Sequence, residues 1–405
     1  MGRAPMAREI TLACRECGRE YDPEFRYVCA ECFGPLDVAY AGAEPSRARI
    51  GAGPKTYWRY GELLPIVDRR HIVDIGAGMT PLTHARRLGE ALGLSRLYVK
   101  NDSVNPTFSF KDRPAGVAVS RSRELGLPAV GCASTGNLAS ATAAHAAAAG
   151  LPCRVWAPAG IEAPKVVQAL SYGAELVSVD GTYDDANRMA ARAGDREGHG
   201  IVNINMRSYY VEGSKTLAFE AAEQLGWEVP DRLVVPVGSG AMLNAICKGF
   251  GEMRDHGLVG DISRMRVDAA QPTGCAPVVS AFRDGGRVVP VERPETVAKS
   301  LAIGDPGDGR YVLRRLEESS GTAEEAGDAE ILDAILLLAR TEGIFTEPAG
   351  GVPVAVLKKM AEAGLVDRDE TIVCYVTGNG LKATGPLEPL LRVPAPVPAM
   401  EAMVA

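Results

Sequence analysis

Histidine is scarce in this chain, five among 405 residues, and the four at 71, 84, 199 and 256 fall at no spacing that would gather a metal. The fifth, His145, sits in an alanine-rich segment and reads as a packed side chain. An excess of basic charge is missing too: 44 Lys and Arg stand against 51 Asp and Glu, a formal net charge of −7. Neutralising a phosphate backbone takes concentrated cations, so nucleic acid is excluded as the main partner. Long apolar runs are also absent. The least polar stretch, ASATAAHAAAAG at 139–150, is too short and too rich in alanine to span a bilayer, and no membrane partner is expected. The opening MGRAPMAREI lacks the apolar core of a secretory signal, which points to the cytoplasm, where thiols stay reduced.

What is present is the composition of a globular protein, 46% hydrophobic and 23% charged, long enough for two or three domains. Four of the nine cysteines form two C-x-x-C knuckles, CREC (Cys14, Cys17) and CAEC (Cys29, Cys32), eleven residues apart. That spacing suits a tetrahedral Zn2+ site of ribbon type. Four thiolates leave no open coordination position, so such a metal would be structural; buried or disulfide-paired cysteines are the plainer alternative. The ribbon is expected over 1–42, a linker packed on the core over 43–75, the core over 76–386 and a loosely packed Pro- and Ala-rich tail over 387–405. Within the core, apolar runs such as LYVKND, AVGCAS, CRVWAP, AELVSVD, RLVVPVG and TIVCYVTG alternate with helical segments. This predicts an α/β fold with mostly parallel sheets covered on both faces. AEEAGDAEILDAILLLARTEG reads as one helix, and NINMRSYYV as a loop before a helix at GSKTLAFEAAEQLG.

Four strand-to-helix junctions could carry chemistry. NPTFSFKDR at 105–113 places Lys111 between aromatics and an aspartate. Apolar surroundings penalise an ammonium and favour a lysine that acts as a nucleophile or base, although a capping serine and a snorkelling lysine would read the same way. CASTGNLAS at 132–140 leaves a strand and opens a helix, with small residues that let backbone N–H groups approach an anion and Asn137 as a side-chain donor. VPVGSGAML at 235–243 repeats the pattern and could cradle a phosphate on the amides of Gly238 to Met242. It lacks the lysine and hydroxyl of a P-loop, and Leu243 stands where a dinucleotide motif needs its third glycine. VTGNG at 376–380 ends a strand in Thr377.

A lysine, an asparagine, a glycine turn and a threonine at strand ends are what a phosphorylated, ring-bearing aldehyde cofactor requires. In their order, and in the pair NPTxSFKDR and ASTGN, these motifs resemble the fold-type II pyridoxal-phosphate (PLP) enzymes, and within them the threonine synthases that carry an N-terminal zinc ribbon. The resemblance covers about residues 10–385. It implies two open, mostly parallel α/β lobes, the smaller mobile one over about 113–205. Lys111 would form the Schiff base with PLP, Asn137 would hydrogen-bond the 3′-oxygen of the ring, and Gly238, Ser239, Gly240, Ala241 and Met242 would hold the cofactor phosphate. Thr377 would face the ring nitrogen, a neutral contact that suits elimination and replacement on the substrate side chain. Ser134 and Thr135 would meet the α-carboxylate of a small amino-acid substrate. The implied activity converts O-phospho-L-homoserine and water to L-threonine and phosphate, in a homodimer.

Some residues depart from the family pattern. Phe108 stands where glycine is frequent, and is expected to narrow the space beside Lys111. GSGAM replaces an asparagine-bearing turn. Tyr210 occupies the place of an arginine that helps bind the substrate phosphate, leaving Arg207, or failing it Lys215 or Arg113, to supply the charge. Glu347 in FTEPAGG lies where members of the family often shape the cofactor pocket. The departures keep open a related PLP β-replacement or β-elimination enzyme, cysteate-synthase-like or diaminopropionate-synthase-like. A third reading is a binding module in which Lys111 carries no cofactor.

Overall fold

A computed structural model describes residues 9–134, 136–159, 163–392 and 394–396. Near the N-terminus, β1 (Glu9–Cys14), β2 (Glu20–Tyr21) and β3 (Leu36–Ala41) form an antiparallel sheet of order β2-β1-β3. Alternation builds it: Ile10, Leu12 and Cys14 of β1 and Leu36 and Val38 of β3 are buried, while the residues between them are more exposed. The cysteine knuckles lie at one end of this sheet.

Residues 43–75 do more than connect. Tyr57, Trp58, Tyr60, Leu63 and Leu64 are buried in the same cluster as Leu217, Phe219, Leu243 and Phe250, so the expected linker supplies a wall of the core. The chain then enters a large sheet through β4 (Leu82–His84) and β5 (Arg96–Asn101), and builds a second sheet from β6 (Val130–Ala133), β7 (Cys153–Pro158), β8 (Glu175–Val179) and β9 (Gly200–Ile201). It returns to the first with β10 (Arg232–Pro236), β11 (Arg266–Pro272), β12 (Ala323–Ala326) and β13 (Thr371–Val376). The large sheet has the order β12-β11-β10-β13-β5-β4 and the smaller one β8-β7-β6-β9. Every pairing in both is parallel except β4 with β5. Strands β10 and β13 are buried along their whole length, as the apolar runs LVVP and IVCYV require when helices cover both faces.

Two elements differ from the sequence expectation. Ala323–Ala326 is the edge strand β12 instead of the first turn of a helix, because it pairs in register with Ala269–Pro272 of β11. The helix starts at Asp328, and Gly327 N–H donates to Glu330 at 2.7 Å across its first turn. The NINMRSYYV segment is not a loop beyond Met206: Arg207–Ser214 is helical, followed by Thr216–Gln224. Gly213 can sit inside the first of these only as glycine, since a Cβ there would lie 2.2 Å from the Arg113 carbonyl oxygen.

Candidate active site

The ends of β5, β6, β10 and β13 converge on one cavity of about 330 Å³, in the size range of small-ligand sites. Lys111, Asn137, Gly238, Ser239, Gly240, Ala241, Met242, Thr377 and Arg207 all line it. These sequence-derived candidates are therefore brought together.

Lys111 stands at the N-terminal boundary of the helix Asp112–Glu124, on a turn that its neighbours hold rigid. The Asp112 carboxylate accepts from Thr107 N at 2.8 Å and Thr107 Oγ1 at 2.9 Å, folding the NPTFSFK segment back on itself. Phe110 N donates to the Thr377 carbonyl at 2.8 Å, and Asn379 N to the Phe108 carbonyl at 3.0 Å, which stitches the turn to the end of β13. Beneath it Arg113 is wholly buried. Its guanidinium donates to Asp102 at 2.6 and 2.9 Å, to Glu220 at 2.5 and 2.7 Å, and to Thr216 and Thr80 at 3.0 and 3.1 Å. Lys111 Nζ itself reaches Tyr210 Oη at 2.7 Å and lies 4.5 Å from the Phe110 ring centroid. An aromatic face and a hydroxyl thus orient the amine.

Asn137 opens the helix Asn137–Ala149. Its Nδ2 donates to Glu347 Oε1 at 2.7 Å, which fixes the amide and leaves its second N–H for the cavity. At the far wall, β10 passes through Gly238 and Ser239 to Gly240, whose φ of +91° and 2.7 Å clearance from Val312 Cγ2 admit no side chain. The helix Ala241–Asp255 begins there, so its first amides point into the cavity at the positive end of the helix dipole. Arg207, the first residue of its helix, is ion-paired with Asp308. Lys111 and Arg207 are the only cationic side chains lining the cavity among the described residues.

Four expectations need correction or restriction. Phe108 does not narrow the site: its φ of +65° turns the ring outward, where it is 47% exposed, and Phe110 lines the cavity instead. That left-handed backbone is one glycine adopts without strain. Ser134 does not line the cavity; its Oγ accepts from Gly136 N at 3.0 Å and Ala139 N at 3.2 Å at the start of the helix Asn137–Ala149. Thr135 lies outside the described residues. Neither Arg113 nor Lys215 supplies charge to the site, because Lys215 is also fully buried, bound to Glu212 at 2.5 Å and Glu252 at 2.7 Å. Sequence reasoning undervalued Tyr210, seen only as a missing arginine, and had no signal for Asp308.

Near the N-terminus, the four cysteine sulfurs lie within 4.8 Å of one another, with Sγ–Sγ separations of 3.5 to 3.6 Å for the hydrogen-bonded pairs. Disulfides would bring sulfurs to about 2.05 Å, whereas four thiolates about 2.3 Å from a shared zinc would be about 3.8 Å apart. Cys29 is held at about 6 by the hydrogen bond from Tyr21 Oη, at 3.0 Å, and by backbone N–H groups. The neighbouring Cys14 and Cys17 sulfurs push Cys32 the other way, up to about 12, so without a metal the four thiols do not ionise together.

The residues of the cavity fit PLP: an oriented lysine amine, a glycine cradle at a helix N-terminus, a held asparagine amide, and a hydroxyl where other cofactor enzymes place an acid. The family described as "PALP: Pyridoxal-phosphate dependent enzyme" matches residues 73–378. Threonine synthases from Methanocaldococcus jannaschii and Methanosarcina acetivorans are each 42% identical over 376 residues, covering 91% and 92% of this chain and 92% of each relative. That of Mycobacterium tuberculosis is 38% identical over 340 residues, 84% of this chain and 91% of the relative. Among solved structures, maize serine racemase superposes with a TM-score of 0.64 at 20% identity, over 74% of this chain and 88% of that one. Diaminopropionate ammonia lyase from Escherichia coli does so with 0.66 at 18%, over 79% and 89%. These two share the fold. Family match and close relatives together establish that the chain belongs to the pyridoxal-phosphate-dependent enzymes and, within them, to the threonine synthase family.

Proposed function

We propose that this enzyme converts O-phospho-L-homoserine and water to L-threonine and phosphate. The observation that carries the reading is that a lysine amine, a phosphate cradle and a separate arginine line one cavity, in a chain 42% identical to threonine synthases over nine-tenths of its length. One anion site serves the cofactor and a second cation is left for a phosphorylated substrate.

When bound, PLP supplies an aldehyde for amino groups and a ring that delocalises the electrons of bonds broken at the substrate. Lys111 would hold the cofactor through its amine and, as a free amine, would move protons among Cα, Cβ and Cγ of the substrate. Tyr210, 2.7 Å from Nζ, keeps the free amine aimed at those carbons. The Gly238–Met242 amides would take the cofactor phosphate, Asn137 would meet the ring oxygen with the amide that Glu347 holds, and Thr377 would meet the ring nitrogen with a neutral hydroxyl. Arg207 binds the substrate phosphate, which leaves with the electron pair of its C–O bond as charge accumulates on it. One hydrogen of Cβ passes to Cγ by way of Lys111, water then adds its hydroxyl at Cβ, and the proton of that water ends on the released phosphate, which balances the reaction. Zinc on Cys14, Cys17, Cys29 and Cys32 completes the ribbon. A homodimer in the cytoplasm is the setting the family resemblance supports.

The test is to incubate the PLP-loaded enzyme with O-phospho-L-homoserine and quantify phosphate and threonine together. Equal formation of both is expected, with Lys111→Ala colourless and inactive. Turnover of O-phosphoserine or O-acetylserine with no threonine formed from O-phospho-L-homoserine would reject the reading in favour of a β-replacement enzyme.

A further inference from the structure

Between the ribbon and the core lies a second, smaller cavity of about 160 Å³, whose lining includes Arg15 and Asp37 on the ribbon side and Asp308 and Tyr311 on the other, with the further cations Lys248, Arg314 and Arg315 around it. Arg15 belongs to the first cysteine knuckle. Its Nε and Nη2 grip Asp37 at 2.9 and 2.6 Å, and its guanidinium lies 4.5 Å from the Tyr311 ring centroid. The remaining nitrogen, Nη1, is buried and makes no hydrogen bond among the described residues, yet it stands only 3.6 Å from Asp308 Oδ1. The other oxygen of Asp308 is the one that pairs with Arg207. Asp308 is 3% exposed, and its N–H donates to the Ser239 carbonyl of the cofactor cradle at 3.0 Å.

This carboxylate poses a difficulty for an anion-binding arginine. As the cavity stands, Arg207 is neutralised by Asp308. A phosphate dianion that draws Arg207 inward brings a second negative charge toward a buried carboxylate and removes the nearer of its two cations, leaving Arg15 Nη1 at 3.6 Å as the other, which is unfavourable unless that longer contact tightens. Among the described residues Arg15 is the cation besides Arg207 that already lies within ion-pair distance of Asp308, and its Nη1 has no hydrogen bond to give up in closing on it.

We propose that Arg15 takes over Asp308 when the substrate phosphate engages Arg207, so that the N-terminal ribbon is a working part of the phosphate subsite. Arg15 is a positioning residue, acting through Asp308 and touching no substrate. The proposal rests on the reading of Arg207 as the phosphate-binding residue. It gives the ribbon a role in the reaction besides its own folding, since the cysteine knuckle is what holds Arg15 at the back of the catalytic cavity.

The experiment measures binding of inorganic phosphate to the zinc- and PLP-loaded enzyme by titration calorimetry, alongside KM for the phosphorylated substrate. Arg15→Gln is expected to weaken phosphate binding about tenfold, the scale of one charge-assisted hydrogen bond, and to raise KM in parallel, with zinc content unchanged. In an Asp308→Asn background the same Arg15→Gln change should have no effect, because no carboxylate is left to be received. Asp308→Asn alone should bind phosphate as tightly as the parent or more so. Weaker binding in Asp308→Asn would overturn the proposal, and so would an undiminished effect of Arg15→Gln in that background or none in the parent. Should Arg15→Gln lose zinc, the Asp308→Asn measurement still decides. Arg207→Gln is the separate control: phosphate binding unaffected by it removes the underlying reading and not merely the role of Arg15.

Discussion

Glu220→Gln perturbs the foundation of the Lys111 turn without changing its volume. Glu220 is fully buried and accepts from Arg113 at 2.5 and 2.7 Å, Lys100 Nζ at 2.7 Å and Met79 N at 2.8 Å. Together with Asp102 it balances two buried cations. Burial works to raise its pKa, but the Arg113 and Lys100 charges and their hydrogen bonds overcome it and hold the carboxyl at about 2, against an ordinary 4.5. At about 1.36 kcal/mol per pH unit, that depression corresponds to about 3 kcal/mol of stability. Breaking a buried ion pair by removing one partner costs about 3–5 kcal/mol, which agrees. Burial pulls the Lys100 ammonium the other way, below its usual pKa, so in the variant Lys100 can shed its proton and recover part of the loss. The folded pKa lies below the unfolded one, so the contribution is complete above the unfolded value of about 4.3 and drains away as pH falls toward 2. Urea unfolding followed by far-UV circular dichroism should show the variant about 3 kcal/mol less stable at neutral pH, and the gap should close by about half near pH 3. A neutral-pH difference under about 1 kcal/mol, or one that does not narrow in acid, would refute the claim that charge balance underlies this site.

Tyr210→Phe removes a hydroxyl bonded to Lys111 Nζ; kcat is expected to fall about tenfold or more with KM nearly unchanged, and an unaltered kcat would show that the hydroxyl is a bystander. Phe108→Gly relieves a left-handed backbone at an exposed ring, so stability should stay level or rise by up to about 1 kcal/mol and KM should not move; a tenfold KM change would return the ring to the site. Cys29→Ser should leave less than one zinc per chain by metal analysis and open the ribbon to protease while the catalytic core resists, whereas full zinc content would contradict the four-sulfur assignment.

Most of the site could be read from the chain because its signals are local. Lys111, Asn137 and the Gly238–Met242 turn each sit where a strand-to-helix connection enters its helix, and Thr377 directly follows β13; such junctions in parallel sheets face the same edge. The knuckles Cys14, Cys17, Cys29 and Cys32 are legible for the same reason, since two short turns present their thiols together. Misreadings arose where direction mattered. Phe108 and Phe110 look alike two residues from each other, but one positive φ sends the first outward. AEEA reads as helix by composition and becomes strand because the edge of β11 offers pairing.

The sequence by itself determined the fold class, the knuckles and most of the residues that line the cavity, because each depends on neighbours a few positions away. Only the tertiary structure decided which partners tune them. Lys111 meets Tyr210 across 99 residues, Arg207 meets Asp308 across 101, and Asn137 meets Glu347 across 210. No local propensity encodes such encounters; they exist because packing two sheets and a ribbon around a shared core brings charged and polar groups to the same place and leaves each needing a counterpart.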